Sequence, residues 1–263
     1  MRHIIMKRMI LSVLILFLLV SCAATFKEKR ELSKPRVAIA MEKIASNDIQ
    51  GALLELRRAQ KDNPQDPEIY YGFALAYWRS DKPESALENV GKAIALGDKL
   101  ELDHPGLKSE AYNLKGSILI GMGSYEEALS SFEKALKDEL YTTPEYPWYN
   151  MSFIHFQKKD YVNAQESAGR ALDYNPHYAP AWEMLGRIFQ EQGRNSQAIE
   201  AFKHAILEFP EYTDAHWGIA QLYMRLGERQ QAITHFNEVI RLDAGGIFGK
   251  MAVEKLQELG ETP

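Results

Sequence analysis

The sequence predicts an all-α, right-handed superhelical solenoid of six helix-pair repeats closed by a C-terminal capping helix. Three observations carry the all-α expectation. Ala179–Gly246 holds two consecutive copies of one 34-residue unit. Within each copy, small and large apolar residues recur at the spacing of two packed helices. The repeats show neither the period-two alternation of strands nor the glycine fingerprint of a nucleotide-binding loop.

In the first copy Trp182, Leu185, Gly186, Phe189, Gly193, Ala198, Phe202, Ala205 and Pro210 occupy unit positions 4, 7, 8, 11, 15, 20, 24, 27 and 32. In the second, His216, Ile219, Ala220, Tyr223, Gly227, Ala232, Phe236, Val239 and Ala244 take the same places. Small residues at 8, 20 and 27 let helices approach, and larger ones at 7, 11 and 24 fill the space between them. The pattern resembles the tetratricopeptide repeat, W-x2-L-G-x2-Y…A-x3-F…P, with Phe189 in place of its tyrosine. The handedness of the solenoid is implied by that resemblance.

Residues 1–21 are of another kind. Arg2, Lys7 and Arg8 precede an apolar run from Met9 to Val20, too short to span a hydrocarbon core of about 30 Å but suited to an export signal. The run ends in Leu19-Val20-Ser21-Cys22, which resembles a bacterial lipobox and implies a lipidated Cys22 after cleavage. Cys22 is the sole cysteine, so no disulfide can form within the chain. Ala23 at the next position is consistent, by the same resemblance, with sorting to the periplasmic face of an outer membrane. Residues 22–32 are expected to be the lipidated N-terminus and a short charged spacer.

The repeats are expected at 33–66, 67–108, 109–144, 145–178, 179–212 and 213–246, followed by the capping helix at 247–260. The first unit is degenerate but keeps Ala40, Ala52, Leu56 and Ala59 in phase; Arg36 at its position 4 is tolerable where no earlier repeat packs. In the second, Tyr70, Phe73, Ala74, Tyr77, Ala86, Val90 and Ala93 follow the pattern, with an insertion over 96–106. Tyr112, Gly116, Leu119, Gly123, Ala128, Phe132 and Ala135 define the third. Pro144 and Pro147 break the chain before Trp148 opens the fourth. Ala168 stands there where phenylalanine is usual, which predicts a closer helix pair. Phe248, Met251, Ala252, Leu256 and Leu259 give the last helix one apolar face.

Composition narrows the function. The formal charge of −5 becomes −8 once Arg2, Lys7 and Arg8 leave with the signal, which disfavours nucleic acid as a partner. The histidines form no His-Glu-x-x-His pair and no metal cluster, and His155 and His216 fall at aromatic packing positions. Acidic pairs such as Glu126/Glu127 look solvated. Neither catalysis nor a metal or other cofactor is expected, and the useful chemistry is recognition.

In tetratricopeptide proteins, positions 2, 5, 9, 12 and 13 of each first helix line an inner groove. Carried onto this chain, these are Glu68, Tyr71, Leu75, Trp78 and Arg79 in the second unit. The fourth supplies Tyr146, Tyr149, Phe153, Phe156 and Gln157, and the sixth supplies Asp214, Trp217, Gln221, Met224 and Arg225. Aromatic residues at such positions anchor partners, so the expected contacts are Tyr71, Leu75, Trp78, Tyr149, Phe153, Phe156, Trp217 and Met224. The Lys/Asn clamp of cytosolic chaperone-binding relatives is not reproduced; the first three units offer Lys34/Val37/Met41, Glu68/Tyr71/Leu75 and Glu110/Asn113/Ser117.

The whole layout resembles the lipidated type IV pilus proteins that act as pilotins for the outer-membrane secretin. That resemblance implies a partner among secretin subunits, an outer-membrane location and a non-catalytic role in secretin localisation and multimerisation. A general envelope adaptor that recruits peptidoglycan-processing enzymes is the alternative reading.

Overall fold

The computed structural model describes residues 28–97 and 104–261. The expected signal segment, Cys22 and most of the 96–106 insertion lie outside these residues. Every regular element within them is helical. The helices are α1 (28–45), α2 (Ile49–Asp62), α3 (Pro67–Arg79), α4 (Pro83–Leu96), α5 (Leu107–Gly121), α6 (Tyr125–Ala135) and α7 (Glu145–Gln157). They continue as α8 (Tyr161–Tyr174), α9 (Ala179–Glu191), α10 (Asn195–Glu208), α11 (Thr213–Leu226), α12 (Arg229–Leu242) and α13 (Ile247–Glu258). Odd and even helices alternate as the first and second members of six units, and α13 is the final cap. The fold is an all-α solenoid.

Residues 28–32, assigned to a spacer, are already helical, and Arg30 is buried against Glu68 at 3.2 Å. Helix α5 begins at Leu107, an almost fully buried core residue two positions ahead of the unit that starts at Ser109. Pro147 sits in the first turn of α7, where a missing N–H costs no helical hydrogen bond.

The register of all six units is written in the turn between their helices. Asn47, Asp81, Gly123, Lys159, Gly193 and Gly227 all have positive φ, between 54° and 76°, and each is position 15 of its unit. A left-handed residue there reverses the chain within a few residues. Glycine takes that conformation without strain, and Asn and Asp tolerate it better than most. Lys159 has neither advantage. In two of the units Asp48 and Asp160 follow at once and cap the second helix, accepting from the backbone N–H of Gly51 at 2.9 Å and of Asn163 at 3.2 Å.

The chain divides at Ser124/Tyr125 into two compact bodies. In the N-terminal body, Val37, Ala40 and Ile44 of α1 pack with Ala52, Leu56 and Ala59 of α2 and with Ile69, Phe73 and Ala76 of α3. Tyr70, Ala74, Val90, Ala93, Ala111, Leu114 and Ile118 continue that core through α4 into α5. In the C-terminal body, one cluster centres on Ala168, Met184 and Ile188, and a second on Phe202, Ile219, Phe236 and Leu256.

Successive repeats interlock through one large residue. Phe202, at position 24, is fully buried between Gly186 of its own unit and Gly218 of the next. A Cβ on either glycine would lie 2.7 or 2.6 Å from the ring. Leu56 uses the same slot against Gly72, where a Cβ would lie 2.8 Å from Leu56 Cδ2. In the fourth unit the roles reverse. The small Ala168 is followed by the fully buried Met184, which shares its cluster and supplies the missing volume. Within that unit the helices also meet directly, the Ser152 hydroxyl of α7 donating to the Ala164 carbonyl of α8 at 2.7 Å.

Position 4 has a second, polar duty. The Tyr70 hydroxyl donates to the carbonyl of Pro64 at 2.7 Å, and Trp182 Nε1–H to that of Pro176 at 2.8 Å. His216 Nε2 lies 3.0 Å from the Pro210 carbonyl, so its N–H sits on Nε2 and its Nδ1 accepts from His235 Nδ1–H, also at 3.0 Å. In the fourth unit, where the preceding loop is longer, the buried Trp148 Nε1 has no hydrogen-bond partner.

His235 is expected to make stability pH-dependent. Burial, then the neighbouring His216, pushes His235 down to about 4, while Glu238 and Lys203 also act on it. Its folded pKa lies below the unfolded value near 6.5, so its contribution is present above that pH and is lost as pH falls toward 4. The expected result is a Tm that falls between pH 7 and pH 4.5, with a smaller fall in His235→Gln. Equal falls in thermal melts of the two proteins would remove His235 as a cause.

Helix α13 closes the C-terminal body. Ala252 and Leu256 are buried on α12 and its neighbours, and Arg229 fixes the helix end by donating to the Leu259 carbonyl at 2.7 Å. Among the described residues, no helix is long and apolar enough to cross a membrane.

Candidate functional site: the inner faces of the first helices

In the N-terminal body, Tyr71, Leu75 and Trp78 share α3 and are half-buried. The Trp78 ring lies against the backbone of α5 at Gly121, where a Cβ would clash with it. Glu68 is not a free groove charge. It pairs with Arg30 and with His104 Nδ1 at 2.8 Å, and His104 Nε2 reaches Glu110 at 3.5 Å. Hydrogen bonds to Glu110 and Glu68 raise His104 to about 10. Burial alone would push Glu68 up, but His104 and Arg30 together hold it below the usual glutamate value. The end of the 96–106 insertion is thereby tied to α3 and α5.

In the C-terminal body, Tyr149, Phe153 and Phe156 of α7 are half-buried beside α9, and Met224 is half-buried on α11. Tyr149 meets Tyr178 edge-on at 5.6 Å, and the Arg187 guanidinium lies 4.7 Å from the centre of the Phe156 ring. Trp217 differs from expectation. It is only 9 % exposed, with Phe236 at 5.5 Å and Phe248 of the capping helix at 5.7 Å. Its ring is packed between Phe236 and Phe248 and still lines the cavity of this face.

A cavity of about 500 Å³ opens on this face, lined by residues of α7, α9, α11 and α13 that include Phe156, Glu183, Arg187, Gln190, Asp214 and Trp217. Glu183 is only 5 % exposed. Its nearest cation is Arg187, whose Nε lies 3.8 Å away, beyond hydrogen-bond reach. Burial pushes Glu183 up to about 7, Arg187 opposes the rise and Asp214 adds to it. Burial, with the charge of Glu183 nearby, pushes Tyr149 up to about 12 and also raises Tyr212. Gln190 Oε1 is buried with no hydrogen-bond partner.

Glu183 is missing from the sequence-derived set because the fifth unit contributes only its consensus residues there. The signal was present: it stands at position 5, where other units carry Tyr71, Tyr149 and Trp217. Among the described residues, no group of three or more His, Cys, Asp or Glu is placed to hold a metal ion.

Three family descriptions, each of the tetratricopeptide repeat, match the chain: one over residues 37–101 and 183–247, the others over 155–203 and 109–137. Anaphase-promoting complex subunit 7 of Dictyostelium discoideum is 25 % identical over 243 residues, covering 76 % of this chain and 40 % of that protein. Tetratricopeptide repeat protein 13 of Homo sapiens is 25 % identical over 204 residues, covering 75 % and 22 %. The chain thus spans less than half the length of these curated relatives. Among solved structures, PilW, described as a widely conserved type IV pilus biogenesis factor, superposes with a TM-score of 0.72 at 21 % identity, covering 84 % of this chain and 98 % of PilW. PilF of Pseudomonas aeruginosa gives 0.72 at 17 % identity, covering 87 % and 99 %. At these identities the likeness concerns the fold, an all-α repeat solenoid like that of PilW and PilF. With the left-handed turn at position 15 of every unit and the repeat descriptions spread along the chain, this protein belongs to the tetratricopeptide-repeat family.

Proposed function

We propose that the protein is a non-catalytic, lipid-anchored scaffold that binds secretin subunits and assists their localisation and multimerisation at the outer membrane. The observation that carries this reading is a pairing of features. The fold matches nearly the full length of two pilus-biogenesis solenoids, and Leu19-Val20-Ser21-Cys22 stands ahead of it. Lipid on Cys22 would hold the chain at the periplasmic face. Half-buried aromatics on α3 in one body, and on α7 in the other, each offer apolar segments a surface. Concentrating subunits beside one another raises the rate of their assembly with no chemical step.

The test is affinity capture after lipid-preserving extraction, run alongside Cys22→Ala. Secretin subunits should be enriched with the native chain, and the variant should move to the soluble fraction with its helicity intact. Enrichment of murein hydrolases or synthases without secretin would replace this reading by that of a general envelope adaptor. A variant that stays in the membrane would remove the lipid anchor.

A further inference from the structure

Glu183, Arg187 and Gln190 lie at i, i+4 and i+7 on α9, so three polar side chains form one row on a face that otherwise carries rings. Among the described residues no hydrogen bond reaches the Glu183 carboxylate. Its nearest cation, Arg187, stays 3.8 Å away and also lies over the Phe156 ring. Gln190 Oε1, also buried, accepts from nothing. One acceptor without a donor, Gln190 Oε1, and a carboxylate held only by a long ion pair therefore border one cavity, whereas buried polar groups are normally satisfied.

The walls specify what would satisfy them. Phe156 and Trp217 provide ring surface, and Asp214 adds a second carboxylate. Ring faces, a buried counter-charge and an uncharged acceptor together suit a guanidinium or ammonium group. A volume of about 500 Å³ accommodates a long side chain. An acidic side chain could approach Lys159 or Arg187 at the rim, but it would have to sit beside Glu183, Glu191 and Asp214.

We infer that this cavity takes the basic side chain, arginine or lysine, of an extended partner segment whose apolar neighbours lie against Tyr149 and Phe153. The inference rests on reading the protein as a protein-binding scaffold and narrows the chemistry of its partner. Binding replaces the long contact between Glu183 and Arg187 with direct hydrogen bonds and leaves Arg187 on Phe156. It also converts the cost of a buried, weakly paired carboxylate into partner selectivity. Preference for a cation should strengthen from pH 5.5 to pH 8, as Glu183 ionises in the setting of Arg187, Tyr149, Tyr212 and Asp214.

Fluorescein-labelled peptides, acetylated and amidated, with leucines flanking a central Arg, Lys, Gln or Glu, provide the probe. Their binding to the full-length chain in mild detergent is read by anisotropy. Arg and Lys peptides should bind about ten-fold more tightly than the Gln peptide, with the Glu peptide weakest. In Glu183→Gln, with helicity confirmed by circular dichroism, the Arg and Gln peptides should bind within about two-fold of each other. Equal binding of the Arg and Gln peptides to the native chain, an unchanged preference in Glu183→Gln, or no binding of any peptide overturns the inference. The peptides carry no secretin sequence, so a failure here is distinct from a failure of secretin capture.

Discussion

Phe202→Ala should lower the local stability of α9–α12 by ~3–5 kcal/mol, the range for deleting a fully buried ring whose cavity cannot collapse. Collapse is blocked because two glycine backbones, at Gly186 and Gly218, already form the walls of the slot. The converse changes should also destabilise. Gly186→Ala or Gly218→Ala places a methyl at 2.7 or 2.6 Å from the ring, and overpacking of this kind costs about 1–3 kcal/mol. Phe202→Leu combined with either alanine should cost less than the sum of the single changes, because the smaller side chain vacates the contested space. Amide hydrogen exchange across α9–α12 is the suitable measurement, since stability in a repeat array is local and interface by interface. Additive losses in the double variants would show that Phe202 and the glycines are not one interlock.

That interlock shows how far the fold was legible in the sequence. The period of 34 residues, the small residues at 8, 20 and 27 and the apolar face of α13 follow from helix geometry and can be read from one chain. Two kinds of information could not be read in that way. Compensation between repeats, as between Ala168 and Met184, pairs residues that a consensus treats as unrelated positions. Coverage by a neighbouring element is the second kind. Trp217 has the spacing of a groove residue, and only the placement of Phe236 and Phe248 beside it reveals how little of its surface stays exposed. Tyr149, Phe153 and Phe156 stand on α7 at the repeat positions read from the sequence and are half-buried beside α9. Glu183 was hidden because its meaning comes from burial by other helices, whereas the sequence alone shows one more glutamate in an acidic chain.

Glu183→Gln should make the protein more stable at pH 8 and leave it unchanged at pH 4.5. The glutamate's folded pKa, about 7, lies above its unfolded value of 4.5. Its contribution is therefore intact below pH 4.5 and is lost as pH rises through 7, where folding must confine a charge that water would have solvated. A tenfold change in proton affinity between the folded and unfolded chain is worth about 1.4 kcal/mol, so removing the charge should return ~2–3 kcal/mol at pH 8, or several degrees in Tm. The side chain is almost fully buried, so solvent screening reduces this little. Arg187 loses its carboxylate neighbour but keeps Phe156 and its exposure to water. Thermal melts of both proteins across pH 4.5–8 measure the difference. A variant no more stable than the native chain at pH 8 would mean that Arg187, even at 3.8 Å, already offsets the burial of Glu183, and the cavity would then hold no unmet demand for a cation. A more stable variant that also loses its preference for basic peptides would have the opposite meaning. The chain would be retaining a costly carboxylate on its inner face, and among these residues recognition is the use that such a cost can serve.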